Sequence, residues 1–374
     1  MKILVTGAKG FVGKNLIAEL HNRSYIDLYE YDIDSDPIIL DEYTANSEFV
    51  FHLAGVNRPE KQEEFMDGNF GFTSILLDSL KKHKNKAPIL ITSSIQAALD
   101  NPYGHSKKAG EDLLFQYGKE NRVRVFVYRL PNVFGKWCRP NYNSAVATFC
   151  NNIANNLPIQ VNNPDVEMDL VYIDDVIYSF IEKIVEVKGE RQKLKSKRFE
   201  NVNPVHTIKL GKIVELLYQF KESRNNLQVP NMGDTFTKKL YATYLSYLPK
   251  DNFSYPLKMN KDDRGSFTEF LKFTDRGQVS INISKPHITK GNHWHHTKNE
   301  KFLVVNGKGV IRFRKTDSDE ITEYFVSGEK LEVVDIPVGY THNIENLGDT
   351  DMVTIMWVNE IFDKEKSDTF FLKV

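Results

Sequence analysis

Two sets of residues in this 374-residue chain have the types and spacing that chemistry requires. The first lies near the N-terminus: Gly7, Gly10 and Gly13 in TGAKGFVG, HLAG at 52–55, Ser94, and Tyr103 four residues before Lys107. The second lies near the other end: His293-x-His295, then Glu300, then His342 within PVGYTHNIEN. Glycines that follow a strand (ILVT) and open a helix (FVGKNLIAEL) permit a tight turn, close approach of backbone to a pyrophosphate, and close helix-to-strand packing. The helix N-terminus adds its own attraction for phosphate. In the second set, His293 and His295 alternate onto one face of a strand, Glu300 follows on the next strand segment, and His342 is expected from across a barrel. Neutral imidazoles with a carboxylate suit zinc, iron or manganese, and Zn2+ is the expected ion. His296 replaces His295 if the strand is bulged there.

Different kinds of element must carry the two sets. The first half alternates short apolar runs (KILVTG, EFVFHLAG, PILITSS, RVFVYRLP) with helical segments such as GEDLLFQYGKEN. That pattern predicts an α/β doubly wound parallel sheet. Beyond residue 250 the runs VSINISK, KFLVVNGKGVIRFRK and MVTIMWV are short strands between Gly, Asn and Asp turns, the pattern of an all-β jelly-roll barrel. The predicted organisation is a first domain over 1–245, a linker over 246–260 where prolines interrupt both patterns, and a second domain over 261–374. A net charge of −1 offers no general attraction to nucleic acid or anionic lipid. No apolar run is long enough for a membrane segment, and no signal peptide opens the chain, so a cytoplasmic protein is expected. Cys138 and Cys150 lack the spacing of a redox or metal motif.

The glycine spacing, HLAG, Ser94 and Tyr103-x-x-x-Lys107 together resemble the extended short-chain dehydrogenase/reductase family, whose first domain is Rossmann-like. The resemblance implies NADPH or NADH bound by Gly7, Gly10, Phe11, Val12, Gly13, Asp32, Leu53, Ala54, Gly55, Tyr103 and Lys107. It further implies that Tyr103 exchanges a proton with the substrate oxygen, that Lys107 lowers the Tyr103 pKa while contacting the nicotinamide ribose, and that Ser94 or Ser93 hydrogen-bonds that oxygen. Asp32, after the second strand, favours NADH, though both cofactors stay open. RLPNVFG (129–135) and VYIDDV (171–176) extend the resemblance. Met168 and Asp169 stand where sugar-nucleotide members carry an arginine, leaving Lys136, Arg139 and Asn143 as candidates for holding the diphosphate.

The histidine-rich segment and PVGYTHNIEN resemble the two cupin motifs. DDRGSFTEF (262–270) and KGNH (290–293) resemble the cupins that epimerise deoxy-keto-sugar nucleotides, in which the residue aligned with His293 is a general base. His293 therefore has two candidate roles, ligand and base. Over its whole length the chain resembles capsular polysaccharide biosynthesis enzymes that fuse these two modules. What this implies is a homodimer acting on a UDP-linked keto sugar: epimerisation at carbon 3, then reduction at carbon 4, yielding UDP-2-acetamido-2,6-dideoxy-L-talose on the way to UDP-N-acetyl-L-fucosamine. Two alternatives stand beside it: a reductase whose cupin only binds sugar or dimerises, and a dinucleotide-sensing regulator.

Overall fold

Alternation of buried residues explains the first sheet. In the computed structural model, which describes residues 1–189, 199–363 and 365–374, five strands pair in parallel in the order β2-β1-β3-β4-β5. They are β1 (Ile3–Thr6), β2 (Leu28–Tyr31), β3 (Phe49–His52), β4 (Ile89–Ser94) and β5 (Val125–Leu130). Ile3, Val5, Phe49, Phe51, Leu90, Phe126 and Tyr128 enter one core cluster, while Leu4, Val50, Ile89, Ile91, Val125 and Val127 enter another. Since successive side chains point to opposite faces, both faces of the sheet are buried, as a parallel sheet requires. Helices α1 (Phe11–Asn22) and α6 (Ile173–Gly189) cover the first face with Leu16, Leu20, Val176 and Phe180. Helices α2 (Pro37–Asn46), α3 (Phe72–Lys82) and α4 (Pro102–Asn121) cover the second with Leu40, Leu76, Leu77, Leu80 and Leu114. A small sheet of β6 (Asn132–Phe134), β7 (Glu167–Tyr172) and β8 (His206–Lys209), with α5 (Ala145–Ala154), α7 (Leu210–Asn226) and α8 (Thr235–Leu245), completes the helical part.

The remaining strands are all antiparallel. One sheet has the order β16-β13-β18-β11-β10-β9, from β9 (Met259–Asp262), β10 (Gly265–Phe273), β11 (Gly277–Ser284), β13 (Glu300–Asn306), β16 (Val333–Ile336) and β18 (Met352–Val358). The other has the order β15-β14-β17-β12-β19, from β12 (Thr289–Trp294), β14 (Lys308–Lys315), β15 (Ile321–Ser327), β17 (Tyr340–Asn346) and β19 (Phe370–Phe371). Phe302, Val304, Val334, Ile336 and Met352 of the first meet Ile311, Phe313, Val326 and Ile344 of the second in one apolar cluster, giving the expected jelly-roll layering. The chain divides into two units, Met1–Tyr218 with Thr235–Pro249, and Gln219–Asp234 with Lys250–Val374. The excursion at Gln219–Asp234 has no counterpart in the sequence pattern. It joins the second unit partly through a bridge between Gln228 and Lys272. Among the described residues no helix is long and apolar enough to cross a membrane.

Candidate functional sites

The N-terminal site begins where β1 ends. Gly7 adopts φ +71°, a conformation costly for any residue with a Cβ. A Cβ at Gly13 would stand 2.2 Å from the Gly7 carbonyl oxygen, so only glycine lets α1 start against the loop. Gly10 precedes α1 with no side-chain cap and no acidic residue in the first turn, which leaves main-chain N–H groups free for an anion. Phe11 and Val12 are half-buried against the first core cluster and anchor the helix behind the loop. Asp32, just after β2, accepts from the N–H of Lys9 (2.7 Å) and of Ile33 (2.8 Å), fixing its carboxylate beside the glycine loop. On the other side, Leu53 N–H donates to the Thr6 carbonyl (3.1 Å) and Ala54 N–H to the Thr6 hydroxyl (3.4 Å). Gly55 passes the Lys107 ammonium and the Asn69 amide so closely that a Cβ would lie 2.8 Å and 2.7 Å from them.

Tyr103 is placed by the start of α4. Asn101 caps the helix by accepting from Gly104 N–H (2.7 Å), a bond of the kind worth about 1 kcal/mol, and Pro102 opens the first turn. A Cβ at Gly104 would stand 2.2 Å from the Gln96 carbonyl oxygen, so this glycine lets α4 press onto the 3₁₀ turn Ile95–Ala98 that follows Ser94. That contact brings Tyr103 within hydrogen-bonding reach of Ser94. It also separates the two candidate serines: buried Ser93 donates instead to Glu111, which is gripped by Arg129 at 2.9 and 2.6 Å. Lys107, four residues on and thus on the same helix face, holds its ammonium 5.8 Å from the Tyr103 ring centroid and near the Thr92 carbonyl (3.4 Å). Burial lowers the Lys107 pKa to about 8, partly opposed by Glu111. Contrary to the expected lowering by Lys107, burial pushes the Tyr103 phenol up to about 12, with only the Ser94 hydrogen bond pulling it back. Behind the site, buried His52 bridges the Thr6 and Thr73 hydroxyls at 2.8 Å each, and burial drops its pKa to about 3. Of the diphosphate candidates Lys136, Arg139 and Asn143, Lys136 is paired with Asp174 and Arg139 lies over the Tyr142 ring; Asp169, which stands in the usual place of an arginine, accepts from the Thr207 hydroxyl.

In the C-terminal unit His293, His295, Glu300 and His342 bring one ligand atom each to within 4.8 Å of one another. Their origin differs from the sequence expectation in one respect. His342 lies on β17, hydrogen-bonded beside β12 in register with His293, and it is Glu300, on β13, that reaches in from the other sheet. The ladder is irregular between Gly291 and His293, and Asn292 has φ +61°. This irregularity precedes the histidines, so His295 stays in the cluster while His296 packs outside against Trp294 and Phe370. His295 Nε2, Glu300 Oε2 and both ring nitrogens of His342 are buried with no hydrogen-bond partner. Stranding such atoms costs free energy that a shared cation would recover, so the donor set fits a divalent metal. Burial works against the Glu300 carboxylate, but the His295 and His342 rings facing it outweigh burial and keep its pKa below the usual range. Burial, helped by the His342 charge, lowers His293 to about 3.

Sequence reasoning passed over a second feature of this unit. Gln278, Ser280, Asn282 and Ser284 on β11 are buried while the alternating Val279, Ile281 and Ile283 are half-buried, the reverse of an ordinary core strand. Ser266 and Thr268 on β10 continue the buried polar surface, and Lys290 donates to Asn282 at 2.9 Å. The alternation in QVSINIS was the available signal.

Comparison with known proteins follows the same division. Residues 3–191 match the NAD dependent epimerase/dehydratase family, and residues 260–370 match the polysaccharide biosynthesis C-terminal domain. The chain is 46% identical over 374 residues to a UDP-2-acetamido-2,6-beta-L-arabino-hexul-4-ose reductase of Pseudomonas aeruginosa, covering 100% of this chain and 99% of that protein. The capsular polysaccharide assembling protein CapF of Staphylococcus aureus has a structure similar along 100% of both chains, with 57% identity and a TM-score of 0.93. A Bacillus cereus UDP-glucuronic acid 4-epimerase with bound UDP-glucuronic acid and NAD shares only the fold, at 19% identity and a TM-score of 0.54 over 66% of this chain and 98% of that one. The chain therefore belongs to the NAD dependent epimerase/dehydratase family, joined to a polysaccharide biosynthesis C-terminal domain.

Proposed function

We propose that this chain is a bifunctional nucleotide-sugar enzyme: a C-terminal cupin inverts carbon 3 of a UDP-2-acetamido-2,6-dideoxy-4-keto-hexose, and the N-terminal site reduces the ketone at carbon 4. The product is UDP-2-acetamido-2,6-dideoxy-L-talose, for capsular polysaccharide synthesis. The observation that carries this reading is the start of α4 packed on the turn after Ser94, with Tyr103 there and the Lys107 ammonium 5.8 Å from its ring centroid, in a chain 46% identical to a UDP-keto-sugar reductase.

In the reductase site a nicotinamide cofactor held by the glycine loop would, when bound, supply the hydride. Tyr103 gives its phenolic proton to the same carbonyl group, so hydride on carbon and proton on oxygen together make the alcohol. A phenol with a pKa near 12 keeps its proton at neutral pH, which suits a donor, and the Ser94 hydroxyl orients the oxygen. Lys107, charged below about pH 8, offers its ammonium to the cofactor ribose. Glu30, Asp32 and Asp34, gathered around Lys9, favour NADH over NADPH.

In the cupin, His295, Glu300 and His342 would hold zinc, which when bound would polarise the ketone as a Lewis acid. His293, half-buried at the edge of the cluster and kept neutral, takes the proton that the neighbouring ketone acidifies at carbon 3. A proton exchanged with solvent returns to the opposite face, and reduction then removes the ketone and fixes the new configuration. The buried polar residues of β10 and β11 suit the hydroxyl and amide groups of such a sugar. A homodimer and a cytoplasmic location complete the reading.

The test uses the full chain with the authentic UDP-4-keto sugar in deuterium oxide. Without nicotinamide, carbon 3 gains deuterium; with NADH, the deuterated sugar is reduced. Reduction without exchange reassigns the cupin to binding, and neither process overturns the reading altogether.

A further inference from the structure

The last residues of the chain return to the strand that carries His293 and leads into the ligand His295. β19 pairs with β12, Phe371 opposite His293 and Phe370 opposite Trp294, so β12 is held between β17 and the tail. Leu372 N–H donates to the Asn292 carbonyl (3.0 Å), the Thr341 hydroxyl donates to the Leu372 carbonyl, and Arg314 donates to the Lys373 carbonyl (2.6 Å). Just before this strand stands Asp368. Its carboxylate accepts from the N–H groups of His296 (3.0 Å), Thr297 (2.7 Å) and Lys298 (3.0 Å) and from the Thr297 hydroxyl (3.0 Å). Its main-chain carbonyl receives His295 Nδ1 at 2.5 Å.

These contacts bear on the ligands in two ways. A carbonyl oxygen can only accept, so His295 must carry its proton on Nδ1, which leaves the buried, unpartnered Nε2 as a lone-pair donor facing Glu300. The segment 296–298, which separates the ligands His295 and Glu300, has no strand partner for its N–H groups, and one carboxylate gathers three of them. Charge-assisted bonds of this kind are short and strong, and they hold the carboxyl far below its usual pKa despite the opposing effect of burial.

We infer that the C-terminal tail is a positioning element for the metal cluster: Asp368 fixes the tautomer of His295 through its carbonyl and the span between His295 and Glu300 through its carboxylate. This rests on the metal reading proposed above. The side chain of Asp368 is not among the cluster atoms, so it acts through His295 and the 296–298 segment and not as a ligand.

The experiment measures zinc affinity of the full chain by competition with a chromophoric chelator, alongside ¹⁵N-histidine spectra of the zinc-free protein. Asp368→Ala is expected to weaken zinc binding roughly 10- to 100-fold, the range for partners that orient a metal-ligating histidine. Because the carboxylate bonds anchor the segment that carries the Asp368 carbonyl, their loss is also expected to let that carbonyl drift from His295 Nδ1 and turn the single Nδ1–H signature into a mixture of tautomers, which a loss of general stability alone does not do. If that variant fails to fold, Asp368→Asn keeps the volume and one acceptor oxygen, and the same two changes are expected at smaller size. Wild-type zinc affinity with an unchanged His295 signature in a folded variant overturns this inference alone. Failure of the wild-type chain to take up zinc overturns the metal reading and this inference with it.

Discussion

At the N-terminal site the surface prepared for a ligand is largely main chain: the turn at Gly7, the uncapped start of α1, and the Leu53–Gly55 segment tied to Thr6. Its chemistry is then added by few side chains, Ser94, Tyr103 and Lys107, each held by a helix start or a buried polar network. At the C-terminal site the order is reversed. Strands and the segments that continue them merely carry the residues, and the prepared surface is a knot of side-chain atoms, most of which lack partners of their own. The contrast predicts two kinds of fragility. A site made of backbone tolerates changes in side chains around it but not an added methyl group, whereas a site made of stranded donors depends on each donor and on whatever holds it.

The largest separation of the two sites is expected from Tyr103→Phe. It removes only a hydroxyl, so cofactor binding and the fold should persist while reduction of the keto sugar falls by roughly 10²- to 10⁴-fold, the usual worth of a positioned general acid. Solvent exchange at carbon 3 should be untouched. Turnover near the wild-type rate would show that proton delivery does not depend on Tyr103.

A smaller effect, and one that tests the backbone side of the contrast, is expected from Gly13→Ala. The new Cβ would meet the Gly7 oxygen at 2.2 Å and the Ala8 oxygen at 2.7 Å, and main chain cannot swing aside as a side chain can. Overpacking of this kind costs about 1–3 kcal/mol. The expected result is weakened NADH binding by titration and an earlier melt of the N-terminal unit, with metal content unchanged. Unaltered NADH binding would mean that the loop is not the close-packed surface described.

Legibility from sequence divides along another line. The glycine triplet, Tyr103-x-x-x-Lys107 and the two histidine motifs were readable because the chemistry fixes residue type and spacing within one short segment. Partners supplied by distant strands were not. Nothing near Ser93 in sequence announces that Glu111 and Arg129 claim its hydroxyl and leave Ser94 to face Tyr103. Gly104 reads as an ordinary helix residue until its contact with the Gln96 carbonyl is known. His342 was expected from across the barrel, yet pairing of β12 with β17 puts it next door and leaves Glu300 to cross. Asp368, in a polar terminal stretch, gains meaning only from β19 docking on β12.

The smallest expected effect concerns the far end of the cofactor, where a side chain bears on a surface otherwise made of backbone. NADPH differs from NADH by a phosphate on the adenosine ribose, and the end of β2, where that ribose lies in dinucleotide-binding folds, is acidic here. Asp32 cannot turn away, because the Lys9 and Ile33 N–H groups hold both of its oxygens. The nearby cation, Lys9, is already paired with Asp34 and is exposed, so solvent and salt blunt what it can offer a phosphate. Repulsion by a fixed carboxylate should therefore decide, and kcat/KM is expected to favour NADH by about tenfold, equivalent to about 1.4 kcal/mol. Asp32→Asn removes the charge, keeps one acceptor oxygen for the loop, and should bring the two cofactors close to parity. Equal use of both by the wild-type enzyme, or a preference for NADPH that Asp32→Asn leaves unchanged, would mean that the loop backbone alone sets cofactor choice and that Asp32 serves only to brace it.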